Sequence, residues 1–169
     1  MTRRAERRAS ELTLLSESLR ELMRSFPAGV AVLTVDVEGE RLGLTVGTAV
    51  SLSLAPPLVG VSVSRQAAMH ELLRRAGAFA LSLLAGDQDA IAQHFARGVP
   101  PFAHWHGVGV REGTLGAPLL DGALGWLECR LAAEHEVGDH TLFVGEVIAA
   151  EAGRSGPALV HVGGRYVSA

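Results

Sequence analysis

Before Phe26, apolar side chains recur at Leu12, Leu15, Leu19 and Leu22, in steps of alternately three and four that Phe26 continues. That spacing lays them along one stripe of an amphipathic helix over residues 5–25. The six Arg and four Glu ahead of Phe26 then form a solvated opposite face. The stripe needs a cover, so the helix is expected to pack on the body of the protein or on a second subunit. From Gly29 the period shortens to two, with Val30, Val32 and Thr34 alternating with Ala31, Leu33 and Val35, the signature of a strand. Asp36, Glu38 and Gly39 mark a hairpin turn. Leu42 to Ser53 is predicted as one return strand, stopped by Pro56-Pro57, and Leu58 to Val63 as a short apolar strand of the fully buried kind.

Ser64 stands where a helix N-cap belongs, ahead of Met69, Leu72, Leu73 and Ala76 at helical spacing, with Gly77 as the stop. The prediction is a strand, a turn and a helix over 65–76. Ala78 to Leu84 is another strand. Asp87 is placed to cap a helix carrying Ile91, Ala92 and Phe95 before Gly98, and a loop with Pro100, Pro101, His104, Trp105 and His106 follows. The last third is β-rich: two long runs, Leu124–Val137 and Thr141–Ala150, meet at Gly138-Asp139-His140, and a short strand spans Leu159–Val162. Many strands with few helices predict a mainly β fold, an antiparallel barrel with peripheral helices. A chain of 169 residues suits one such domain, over 26–169, with the amphipathic helix of 1–25 ahead of it.

Composition narrows the function. The chain is 48% hydrophobic and 20% charged, so it folds. Its 15 basic residues, all Arg, stand against 18 acidic ones, a balance that attracts neither nucleic acid nor an anionic membrane. Cys129 is the single cysteine and lies in an apolar run, where a buried, inert thiol in a reducing cytoplasm is expected. Residues 1–25 lack the apolar core of a signal peptide, and nowhere are there about 18 apolar residues in a row. A protein that is neither exported nor membrane-spanning is expected.

The chemistry-bearing stretches are few. No G-x-G-x-x-G opens a βαβ unit, and no Walker motif, Cys pair or H-E-x-x-H occurs, which argues against Rossmann, P-loop and common zinc chemistry. His104-Trp105-His106 with His94 upstream lacks a Cys or carboxylate at ligand spacing, so surface histidines and no metal are expected. Glu128, Glu134, Glu136 and Glu146 are read as the solvent face of a long hairpin, and Trp126 and Phe143 as core. Thr45, Thr48, Ser51 and Ser53, interrupted by Gly47 and Ala49, would let a planar ligand approach the backbone. They are equally a strand of small residues. Ser64-Arg65 at a helix start would favour an anion such as a phosphate. Gly138-Asp139-His140 is either a plain hairpin turn or the edge of a redox site. Hydride transfer between two cofactors needs alignment rather than a protein nucleophile and base, so the lack of any such constellation fits an oxidoreductase better than a hydrolase.

In order and spacing, the chain resembles the short-chain flavin reductases, the reductase partners of two-component flavin-dependent monooxygenases. The resemblance runs from Phe26-x-x-Gly29-Val30-x-Val32-x-Thr34 through Leu42–Pro57 and Phe79-Ala80-Leu81-Ser82-Leu83-Leu84. It continues through Ala92-Gln93-His94-Phe95-Ala96, Gly138-Asp139-His140-Thr141, Gly145-Glu146-Val147 and Gly164-Arg165-Tyr166. It implies a Greek-key split barrel of the FMN-binding type, a homodimer, and NAD(P)H-dependent reduction of FMN or FAD for a partner monooxygenase. It further implies that Leu44, Thr45, Gly47, Thr48 and Ser51 line the ring and ribityl portion, with Ser62, Val63, Ser64 and Arg65 near the phosphate end. His94 becomes a further flavin neighbour. Asp139 and His140 border the nicotinamide, together with Arg165 and Tyr166, and His140 takes the catalytic position. No basic cluster argues for a 2′-phosphate, which favours NADH over NADPH. Two other readings stay open: a flavin-binding barrel without turnover, and a barrel that docks a partner through its N-terminal helix.

Overall fold

The computed structural model describes residues 3–96 and 103–169, so the stretch holding Gly98, Pro100 and Pro101 lies outside the described residues. The chain begins with α1 (Arg3–Arg24) and the short β1 (Ala28–Gly29). The sheet strands then start with β2 (Ala31–Val37), β3 (Glu40–Val46), β4 (Val50–Leu54) and β5 (Pro57–Ser64). Next come α2 (Ala68–Ala76), β6 (Ala78–Leu83) and α3 (Asp89–Ala96), followed by β7 (Val110–Glu112) and β8 (Pro118–Leu120). The long pair β9 (Gly125–Val137) and β10 (His140–Ala152) precedes β11 (Leu159–Val162) and β12 (Arg165–Ser168). Seven strands form one antiparallel sheet in the order β3-β2-β6-β9-β10-β5-β4. A mainly β fold with peripheral helices is therefore what the chain adopts.

The return strand expected over Leu42–Ser53 is in fact two strands. The chain leaves the sheet after Val46 and re-enters at Val50, so that β3 and β4 form its opposite edges. The break falls at Gly47-Thr48-Ala49, the small residues that had read as strand. The β2–β3 turn holds the expected residues, with Glu38 and Gly39 both at positive φ (56° and 89°), the twist a tight hairpin requires. β9 and β10 carry register shifts at Val144/Gly145 and Val147/Ala149, which bend the ribbon around the core. Three strands escaped the pattern because they are too short to show a period: β1, β7 and β8. β12 was missed although Gly163-Gly164 ahead of it is a hairpin signal.

Alternation sorts the side chains. Ala31, Leu33 and Val35 of β2, Val59, Val61 and Val63 of β5 and Phe143 of β10 face the barrel interior. Met69, Leu72 and Leu73 of α2 close it. On the other side of β2, Val30 and Val32 pack with Ala92 and Phe95 of α3 and with Leu159. Gly43 is what lets α3 sit so close, because a Cβ there would lie 2.5 Å from the Phe95 ring.

Three local expectations are corrected. Ser64 does not cap α2: its Oγ accepts the Gln66 N–H (3.3 Å), and the helix starts at Ala68 with Ala67 at the N-cap and no side-chain cap. Ser64 is thus the end of a strand, and the first turn of α2 carries no cap of the expected kind. Asp87 does not cap α3; its carboxylate pairs with Arg154. Glu128 does not face solvent but is buried, accepting hydrogen bonds from Thr114 Oγ1 and Leu115 N–H (both 3.0 Å) and so pinning the β7–β8 turn. The helix of 1–25 forms as expected, yet the body of the chain does not cover it. Every residue from Arg4 to Arg24 is exposed, and α1 is tied down at its end, where Gly163 N–H donates to Arg24 O (2.6 Å).

Candidate functional site

Breaking the strand at residues 47–49 has a chemical consequence. Gly47 turns outward beside Ala28, whose Cβ is 3.5 Å from where a Gly47 Cβ would sit, and the two help line a shallow cavity of about 150 Å³. Thr45, Val30, Ala96, His161 and Tyr166 complete most of its wall. His161 and Tyr166 are opposite partners in the β11–β12 hairpin, with ring centroids 5.3 Å apart. Burial pushes the Tyr166 phenol above its usual range, so it stays a neutral hydrogen-bonding group well into alkaline pH. A second, apolar cavity of about 220 Å³ shares Val30 and includes Ala49. Small residues and flanking rings around an open crevice suit a flat heterocycle.

Thr48 carries the strip onward. Its Oγ1 donates to Ser62 O (3.0 Å) and accepts from Ser62 N–H (3.1 Å), stitching the 47–49 turn onto β5. Since Val59, Val61 and Val63 face inward, Ser62 and Ser64 face outward. They lie opposite Leu142 and His140 of β10. Arg65 N–H donates to Asp139 O (3.0 Å), and the Arg65 guanidinium stands 3.7 Å from Glu136. His140 Nδ1 is 2.7 Å from Asp139 Oδ1, and this hydrogen bond, with the charge of the imidazole, holds the Asp139 carboxyl below the usual carboxylate range. Beneath the turn, buried His70 of α2 bonds Thr141 Oγ1 (Nε2 to Oγ1 2.8 Å), fixing the start of β10.

Most of the sequence-predicted residues therefore fall on one strip. Tyr166, Thr45 and Gly47 stand at one end, Thr48 and Ser62 in the middle, and Ser64, Arg65, Asp139 and His140 at the other. Ser51, on the edge strand β4, pairs with Val59. Arg165 is exposed beside Tyr166. The hydroxyls are less free than their chemistry implied, because Thr45 Oγ1 donates to Ala92 O (2.7 Å) and that of Thr48 is engaged with Ser62. Leu44 packs against the core and Val63 lies within it, so neither side chain reaches the strip. His94 turns toward the 103–106 segment, where its Nε2 donates to His104 O (2.8 Å), two residues from cavity-lining Ala96. His104 is not a surface residue: it is buried, and burial, with His94 nearby, lowers its pKa. Among the described residues no group of His, Cys, Asp and Glu could hold a metal. Sequence reasoning missed His161, whose only signal was its place two residues before the Gly163-Gly164 turn. A larger cleft of about 380 Å³ around Gly86, Ser155 and Ser168 lies elsewhere, and its Arg154 is already paired with Asp87.

An antiparallel barrel with an open, small-residue crevice on its flank has the shape to take a flat heterocycle. The flavin reductase like domain family matches residues 23–169, and the chain belongs to that family. The reductase component of 4-hydroxyphenylacetate 3-monooxygenase from Thermus thermophilus is 40% identical over 147 residues, covering 87% of this chain and 92% of that one. An NADH-dependent FAD reductase from Streptomyces globisporus is 40% identical over 155 residues, covering 88% and 82%. Among solved structures, BorF, the flavin reductase component of a bacterial two-component tryptophan halogenase, superposes with a TM-score of 0.85. It is 38% identical and the match covers 90% of this chain and 97% of that one. The barrel is thus a flavin reductase split barrel.

Proposed function

We propose that this protein is an NAD(P)H:flavin oxidoreductase that reduces FMN or FAD and passes the reduced flavin to a separate monooxygenase. The observation that carries the reading is the continuous strip from Tyr166 and Gly47, through Thr48 and Ser62, to Ser64 and His140. The strip fits the group: Gly47, Ala28 and Ala96 leave room against the backbone, the Tyr166 and His161 rings flank the opening, and serine hydroxyls with Arg65 stand at the polar end. Flavin, when bound, supplies the two-electron chemistry by accepting hydride from a nicotinamide. The residues of this chain supply position: Thr45, Gly47 and Thr48 hold the ring and ribityl portion, and Ser62, Ser64 and Arg65 the phosphate end. Asp139 fixes the His140 imidazole through their hydrogen bond, and His140 borders the nicotinamide, with Arg165 and Tyr166. Leu44 and Val63 act behind the strip by packing. Relatives named as NADH-dependent flavin reductases support NADH over NADPH. The proposed assembly is a homodimer and the proposed setting a reducing cytoplasm, where the thiol of Cys129 persists; no described helix is long and apolar enough to cross a membrane.

The test is anaerobic mixing of the protein with FMN or FAD and with NADH or NADPH. Loss of the oxidised flavin absorbance is expected with at least NADH, and no loss in any of the four combinations contradicts the reading. His140→Ala separates reductase from passive carrier. A reductase keeps its flavin affinity and loses roughly 10- to 100-fold in NADH-linked turnover, as expected for a positioning contact, whereas a carrier shows no NADH-linked change.

A further inference from the structure

One buried titratable side chain lies behind the strip and has no part in lining it. His70 stands in the first turn of α2 and is buried beside the apolar Met69, Leu72 and Leu73. Helical Cα–Cβ bonds tilt toward the N-terminus, so its imidazole reaches back to the corner where β5 runs into α2. There His70 Nε2 and Thr141 Oγ1 share a hydrogen bond of 2.8 Å, and the ring stands edge-on to Phe143 with centroids 5.2 Å apart. Thr141 is itself buried, opposite Val63 in the β5–β10 ladder and two residues before core Phe143. Valine would suit that inner position of the sheet as well as threonine does. Replacing both members of a buried hydrogen bond by apolar groups of similar shape costs a fold little. Stability alone therefore gives no reason for an imidazole and a hydroxyl at this point.

The reason lies one residue away. Asp139 and His140 follow Gly138, whose φ is positive (61°), at the tip of the long β9–β10 ribbon, and their side chains are 93 and 42% exposed. A pair so open to water holds its own geometry weakly. The α2 corner instead grips the backbone on both sides of the dipeptide. Ahead of His140, Arg65 N–H donates to Asp139 O (3.0 Å); after it, His70 takes the Thr141 hydroxyl. Ser64 lies opposite His140 in the ladder, and Ala67 N–H donates to Ser64 O (3.0 Å), so Ser64, Arg65 and His70 belong to one corner. We propose that His70 is a positioning residue for the hydride transfer: through Thr141 it fixes where β10 begins, and so where the His140 imidazole stands beside the nicotinamide. Thr141 and His140 point to opposite faces of β10, so a hydroxyl held on the inner face sets the imidazole on the outer one. His70 touches neither cofactor. The inference rests on the reductase reading above and on the place of His140 in it.

The test uses the full-length chain and the paired variant His70→Leu/Thr141→Val, which removes both polar groups together and leaves neither one buried alone. Its urea midpoint and its FMN affinity by fluorescence titration are expected to stay close to those of the natural protein. Its kcat/KM for NADH is expected to fall roughly tenfold, since a shift of about 1 Å at a reacting centre costs up to about a hundredfold. Three further readouts separate positioning from general support. Adding His140→Ala to the pair should lower kcat/KM no further than His140→Ala does alone, because the clamp acts through that imidazole. His70→Gln, which keeps a hydrogen-bonding group facing Thr141, should recover kcat/KM to within about threefold of the natural value. Amide exchange at Arg65, whose N–H is held by Asp139 O, should quicken in the paired variant while the amides of β6 keep their rates. A natural protein that bleaches no flavin overturns the reductase reading and this inference with it. With an active natural protein, this inference alone is overturned if the paired variant keeps its NADH kcat/KM, if its loss multiplies with that of His140→Ala, if His70→Gln recovers nothing, if Arg65 exchange does not change, or if flavin affinity and urea midpoint fall in step with turnover.

Discussion

Gly43→Ala ties packing to the site. Gly43 is buried in β3 opposite Thr34, at ordinary strand dihedrals, so alanine meets no backbone penalty there. The added Cβ would stand 2.5 Å from both Cδ1 and Cε1 of Phe95, about 1 Å inside the 3.5–4.0 Å of a normal carbon contact. Phe95 cannot swing aside, because its ring is packed against His104 and Trp105 at centroid distances of 4.9 and 5.2 Å, and Trp105 is itself tied to Arg41 O (3.0 Å). The clash is relieved only if α3 retreats, which strains the Thr45–Ala92 hydrogen bond and draws Ala96 from the cavity wall. Overpacking costs about 1–3 kcal/mol and the weakened hydrogen bond about 1 kcal/mol, while loss of glycine's unfolded-state freedom returns about 0.4–1 kcal/mol. The net is a destabilisation of about 1–3 kcal/mol, read as a urea midpoint lowered by roughly 1 M at unchanged slope, with flavin affinity lowered several-fold in fluorescence titration. Phe95→Leu in the same chain should recover part of the loss, a coupling of about 1 kcal/mol or more. A midpoint and a flavin titration both equal to the natural protein's would refute the reasoning.

Thr34 is buried and its Oγ1 donates to Pro118 O at 2.6 Å. Thr34→Val leaves that carbonyl unpaired and should cost about 1–3 kcal/mol in urea unfolding, and a change below about 0.5 kcal/mol would show the contact to be dispensable. Burial holds the His104 imidazole below its usual 6.5, so the unfolded chain takes up a proton that the folded chain refuses. The stability contributed is complete above about pH 6.5 and is lost as pH falls below it. The fall in urea midpoint between pH 7.5 and pH 5.5 should shrink in His104→Gln, and an identical fall would contradict the account. Cys129, with its thiol pushed up to about 12 by burial and the Glu128 charge, should ignore a disulfide reagent in the native state at pH 8 and react once denatured; rapid native labelling would mean that β9 opens.

How much of this was legible in the sequence depended on whether the signal was local. The stripe at Leu12–Phe26, the alternation from Val30 to Val35 and the two long runs around Gly138-Asp139 have periods that a window can see, and α1, β2, β9 and β10 follow them. Gly47-Thr48-Ala49 looked like strand because small and hydroxylated residues fit a strand locally. The sheet, however, needs β3 and β4 on opposite edges, and that is a property of the whole barrel. Ser64 and Asp87 are good caps by type, but Gln66 and Arg154 claim their oxygens. Glu128 shows the same limit, since nothing near it in sequence announces Thr114 and Leu115 as its partners. Within the site, the order of motifs located Thr45, Gly47, Ser64 and His140 on one strip, while His161 joined it only through the β11–β12 hairpin.

The central claim is that this strip receives the flavin ring between Gly47 and Tyr166 and its phosphate toward Ser64 and Arg65. A crystal structure of the protein with FMN measures it most directly. The account predicts the ring against Gly47 and Ala28, with the phosphate within hydrogen-bonding distance of Ser62, Ser64 or Arg65. FMN seated instead in the cleft around Gly86 and Arg154, or a crevice filled by the protein's own side chains, would contradict it.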